Sequence, residues 1–156
     1  MNELYMPATK TVFKAALLVG TLDIAAALIQ FYTKTGKAPF KPVLTFVASG
    51  LLGKPAFTNG DGMMLAGLLI HYLIAAAFTV LFFLTIAKTP FAKEQKLLTG
   101  ILYGAFIWAV MNLLILPLTK APQPTMEFWT VVVGMLILIC CIGLPLSLLA
   151  AKEQRR

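Results

Sequence analysis

Four apolar runs, each long enough to cross a hydrocarbon core as a helix, decide what this chain can fold into. They lie at about 11–32, 62–87, 97–118 and 126–151. Each holds about the 20 residues that a ~30 Å core requires at 1.5 Å per residue. The apolar fraction is 60% and the charged fraction 12%. A soluble domain averages about 45–50% and about 25%. A chain of 156 residues has too little interior to hide that excess. The reading is a single all-α membrane domain, a bundle of four transmembrane helices.

Charge placement agrees. The net charge is +7, yet the lysines and arginines sit at the ends of the apolar runs, where they anchor helices in headgroups. They form no continuous basic face of the kind a phosphate backbone requires, so no nucleic-acid partner is expected. The partner that composition does require is the lipid bilayer.

Four spans place both termini on one side, with Lys10, Lys14, Lys88, Lys93, Lys96, Lys152, Arg155 and Arg156. Lys34, Lys37, Lys41, Lys54 and Lys120 fall on the other, and eight against five favours cytoplasmic termini. The stretch "MNELYMPATK" carries Glu3 and lacks a basic n-region, and no A-x-A-like site follows, so the first run is expected to be retained.

The first loop contains "KPVLTFVASGLLGKP". Pro42 suits a first helical turn, Gly53 a C-terminal cap, and Pro55 prevents continuation. A helix over 42–53 is too short to span and too apolar for water. It is expected either to lie flat at the interface or to re-enter the membrane against protein.

Few strongly polar side chains lie inside the runs: Asp23, His71, Asn112 and, more marginally, Gln30. By residue count the first three fall in one layer roughly 9–14 Å below the outer interface. Each also sits on a helix face of small residues, since positions four apart share a face. The stripes are Ala16, Gly20, Asp23, Ala27; then Gly67, His71, Ala75, Thr79; then Gly100, Gly104, Trp108, Asn112. The fourth run adds Thr130, Gly134, Ile137 and Cys141. Small residues let helix backbones approach, so these stripes are expected to face inward. Pro145 is expected to kink the fourth helix.

Asp23, His71 and Asn112 therefore form the candidate site, supported by Gly20, Gly67, Gly104 and Trp108. An ionised aspartate at mid-membrane costs about 2.5–3.5 kcal/mol on insertion scales. Protonation or pairing with His71 would relieve that cost. An Asp–His pair that exchanges protons suits a site for a proton, ion or small molecule. The same residues also suit an inert knot that sets helix packing in an accessory or scaffold protein.

No serine elbow, zinc motif or glycine-rich phosphate loop is present. One histidine cannot supply a bis-histidine haem, and adjacent Cys140 and Cys141 read as small buried hydrophobes. No cofactor, no metal and no enzymatic activity are expected. Passage of a solute through so small a bundle would call for a homo-oligomer.

The segments "GTLDIAAA", "ASGLLG", "LLIHYLIAAAF" and "LYGAFIWAVMNLLILPL" resemble a family of small four-helix bacterial inner-membrane proteins carried as uncharacterised. The resemblance runs from about Gly20 to Pro145 and includes Asp23, Ser49, Gly50, His71, Asn112 and Pro117. It implies an inner-membrane location and four helices, and no activity.

The topology is directly testable with Cys140 and Cys141 replaced by alanine. A Lys54→Cys variant should react with an impermeant maleimide added to intact cells, and Lys152→Cys should not. The opposite pattern would reverse the orientation.

Overall fold

The computed structural model describes residues 8–123 and 125–153; Glu3, Arg155 and Arg156 lie outside them. Four helices are long and apolar enough to cross a membrane: α1 (Thr9–Thr35), α3 (Gly62–Leu84), α5 (Lys96–Leu118) and α6 (Phe128–Glu153). Two shorter ones lie between them, α2 (Phe40–Leu52) and α4 (Pro90–Glu94). No strand occurs among the described residues. Only 22–28% of the most apolar window of each long helix is buried. Leu69, Leu73, Leu113 and Leu118 stand exposed, a surface suited to an apolar solvent and not to water.

The ends of the elements follow local chemistry. Gly36 closes α1 in the left-handed region, φ 66°, with its N–H on the Tyr32 carbonyl. Gly53, φ 69°, stops α2 in the expected place with its N–H on the carbonyl of Ser49. α2 begins two residues earlier than its proline suggested, so Pro42 occupies the third position of the first turn, where no N–H is needed. The α4 turn was not anticipated from sequence. Thr89 starts it, its side chain accepting from the Ala92 amide, with Pro90 at the first helical position.

Both α5 and α6 widen into π-helical turns, at Val110–Ile115 and Ile139–Gly143. A proline follows each two residues later, at 117 and 145. Each proline removes a backbone donor and crowds the carbonyl four residues back, which is Leu113 or Cys141. Both carbonyls fall inside the widened turns. The turn before Pro145 is thus irregular, and Pro117 is preceded by a second such turn.

Glycines set the packing. At Gly67 an added Cβ would collide with the backbone carbonyl of Leu44, so α2 lies directly on α3. At Gly20 it would come within 2.8 Å of the Tyr72 ring, where α1 meets α3. α5 and α6 approach through Gly104 against the backbone of Ile139, and Gly143 against the carbonyl of Gly100. α3 and α5 stay further apart. Phe78, Phe82, Tyr103 and Ile107 fill the space between them, joined by Val19, Ile142 and Leu146 from α1 and α6. The Tyr103 hydroxyl donates to the Phe78 carbonyl at 2.6 Å, which satisfies the one polar atom of that ring.

The small-residue stripes face inward as expected on α1, α3 and α5. Gly20, Gly67, His71, Ala75, Thr79, Gly100, Gly104 and Trp108 are all buried. On α6 the closest contact is made by Gly143 instead of the stripe read from sequence, whose four members are half-buried, with Thr130, Gly134 and Ile137 lining a cleft.

Gly143→Ala should therefore cost about 1–3 kcal/mol, the usual price of overpacking, because its methyl meets backbone that cannot rotate away. Gly62→Ala, with nothing within 4 Å of the added atom, should stay within about 0.5 kcal/mol. Thermal melts of the two variants in detergent check this, and equal stabilities would refute the close α5–α6 approach.

Candidate functional site

Asp23 is the point around which the polar residues gather. It is half-buried on α1 and lines two adjacent cavities in the half of the bundle that carries α2. The first is a cleft of about 280 Å³, whose walls include Ala27 and Gln30 of α1, Trp108 and Asn112 of α5, and Thr130 and Gly134 of α6. Phe46 of α2 also reaches it. The second, about 170 Å³, holds His71 and is otherwise apolar. Its lining includes Phe78, Ile107 and Ile142, which belong to the core cluster. Beyond it, toward the end bearing the termini, lie Phe82, Phe83 and Leu146 of that cluster.

The expected trio is thus assembled around one carboxyl, with His71 in one cavity and Asn112 in the other. It is not joined by hydrogen bonds. The His71 Nε2 lies 2.8 Å from the carbonyl of Gly20. A carbonyl only accepts, so Nε2 carries the proton, and Nδ1 has no hydrogen-bond partner among the described residues. The expected pairing of Asp23 with His71, directly or through one water, is not made as a direct hydrogen bond; the Nε2 of His71 takes backbone instead. The reason is proximity: Gly20 has no side chain, so its carbonyl is within reach of α3.

Asn112 is also committed to backbone, its Nδ2 donating to the Trp108 carbonyl at 2.9 Å, one turn earlier in the same helix. The bond sits in the widened turn of α5, where carbonyls need substitute donors. The Oδ1 of Asn112 is left over as an acceptor. The Asp23 carboxyl has no hydrogen-bond partner among the described residues.

The four supporting residues divide into two groups. Trp108 lines the cleft, and the pyrrole edge of its indole faces Gly134, where a Cβ would come within 3.2 Å of Nε1. Gly20 contributes its carbonyl and the approach of α3. Gly67 and Gly104 serve helix crossings and line neither cavity.

Some participants were not read from sequence. Tyr72 sits edge-on to His71, ring centroids 5.5 Å apart, and its hydroxyl pairs with Thr21 Oγ1 at 2.8 Å. Thr21 and Tyr72 immediately follow Gly20 and His71, so the signal was available as a neighbouring pair. Phe46 and Val47 of α2 close the cavities from above, and the Lys34 ammonium donates to Thr130 Oγ1 at 2.9 Å, bridging α1 and α6. Among the described residues no group of three or more His, Cys, Asp or Glu is gathered where a metal ion could bind.

Comparison of the chain with known protein families, with curated proteins and with solved structures finds no match.

The hydrogen-bond pattern separates two effects on stability. His71→Leu discards a buried bond to Gly20 and should destabilise by about 1 kcal/mol. Asp23→Leu removes a carboxyl that has no protein partner and should stabilise by a similar amount, about 1 kcal/mol. Apparent Tm values in detergent read both signs. A loss of stability in Asp23→Leu would mean that the carboxyl has a structural partner.

Proposed function

We propose that this protein resides in a bacterial inner membrane, with both termini in the cytoplasm, and that Asp23 is a binding site for a proton, ion or small molecule. The observation that carries this reading is the Asp23 carboxyl lining an open cleft with no hydrogen-bond partner among the described residues. Holding a polar group there lowers stability and contributes nothing to packing, so its use lies in what it binds. The His71 imidazole shares the second cavity with Asp23 and has Nδ1 uncommitted, which suits proton exchange between them.

Access is one-sided. The cleft lies in the half that carries α2, and the aromatic core packs the bundle beyond it. A single copy thus offers a dead-end site, and passage through the membrane requires a second copy or a rearranged bundle. A non-catalytic accessory role is the second reading. It is favoured by His71, whose bond to the Gly20 carbonyl ties α3 to α1, and by Asn112, whose bond serves the turn of its own helix, whatever Asp23 does.

Water access distinguishes the two. In a background lacking Cys140 and Cys141, Ala27→Cys should react with a small charged methanethiosulfonate added to membranes, since residue 27 lines the cleft. Ala15→Cys, in the closed core, should not react. An unreactive Ala27→Cys would make the cleft dry and leave only the packing role.

A further inference from the structure

We propose that the Asp23 cleft takes a small organic amine in its ammonium form, the nitrogen seated on the Asp23 carboxylate and the Asn112 Oδ1, the carbon body against Trp108. This rests on the binding-site reading above and names the ligand class for it.

Charge comes first. Among the described residues Asp23 is the one formally charged side chain that lines the cleft, and no Lys or Arg ammonium or guanidinium lines it with Asp23. A ligand of charge +1 neutralises it, whereas an anion would add a second uncompensated charge to a low-dielectric site.

The choice among cations follows from the walls. A Ca²⁺ or Mg²⁺ ion takes about six or more oxygen ligands, a set this cleft does not approach. Asp23 is the one carboxylate in the lining, the other side-chain oxygens being the neutral ones of Gln30, Asn112, Thr125 and Thr130. Phe46, Val131 and Leu138 make much of the rest apolar. A space of about 280 Å³ with such walls suits an organic body more than a hydrated ion. The Trp108 indole adds a ring that attracts an ammonium group. It is held in place because Gly134 leaves room for its pyrrole edge. Asn112 contributes an acceptor because one N–H of its Nδ2 is held on the Trp108 carbonyl and its Oδ1 has no hydrogen-bond partner among the described residues. An ammonium with N–H groups uses that acceptor, and a quaternary ammonium does not.

Lys34 bears on the same site from outside the lining. Its ammonium rests on Thr130, a residue of the cleft wall. The protein thus carries a primary ammonium of its own at the rim, and a cationic ligand meets its repulsion on entry.

The test uses the full-length protein in detergent, with phenethylamine, its trimethylammonium counterpart and the neutral 2-phenylethanol titrated by calorimetry. Phenethylamine should bind best, the quaternary compound several-fold more weakly, and the alcohol at least tenfold more weakly. Asp23→Asn, nearly isosteric, should weaken phenethylamine at least tenfold, and Trp108→Leu several-fold. Lys34→Met should tighten it a few-fold by removing the competing charge. Equal binding of amine and alcohol, or unchanged amine affinity in Asp23→Asn at an unchanged Tm, overturns the proposal. So does weaker amine binding in Lys34→Met, which would indicate a zwitterionic ligand that needs both charges. A reactive Ala27→Cys with no amine binding ends the amine assignment and leaves the binding-site reading standing; an unreactive one removes both.

Discussion

Helix backbones meet in this protein where glycine removes the side chain between them, and the remaining architecture follows from where those contacts fall. Gly20 brings α3 onto α1, Gly67 admits the carbonyl of Leu44 from α2, and Gly100, Gly104 and Gly143 bring α5 onto α6. No comparable pair joins α3 to α5, and bulk fills that gap. In the half bearing the termini the filling is largely aromatic, with Phe82 and Leu146 fully buried. In the other half it is incomplete, and the two cavities that share Asp23 open there. The site is a consequence of uneven helix spacing.

The same close approaches explain how the polar residues are used. A glycine exposes its own carbonyl, and His71 takes the one at Gly20. A proline disturbs the turn before it, and Asn112 serves the widened turn that precedes Pro117. Two of the three polar side chains thus answer to backbone irregularities that the packing creates. Asp23 answers to none. That difference separates a group that supports the fold from one the fold supports.

α2 links the two halves of this arrangement. Leu44, Thr45, Ala48 and Ser49 are its buried face, and both hydroxyls bond within the helix, Thr45 to the Lys41 carbonyl and Ser49 to the carbonyl of Phe46. Across to its neighbours it relies on apolar packing and one backbone bond, from the Lys120 amide to the Gly50 carbonyl at 3.0 Å. Phe46 and Val47 extend from this element over the Asp23 cavities.

Residue order alone determined the four long helices, the short fifth element before α3 and the inward stripes on α1, α3 and α5. Those features depend on hydrophobic length and on a 3.6-residue period, both local properties. The gathering of Asp23, His71 and Asn112 in one half of the bundle was also legible, because position along a helix counts directly as depth. Only the tertiary structure decided which partner each polar atom takes. His71 turned to a backbone carbonyl because Gly20 left it accessible, a fact about two helices and not about either. The α4 turn, the tight contact at Gly143 and the reach of Phe46 over the cleft were likewise undetermined by pattern. Each depends on how far apart two elements stand, and no periodicity within one element records that distance.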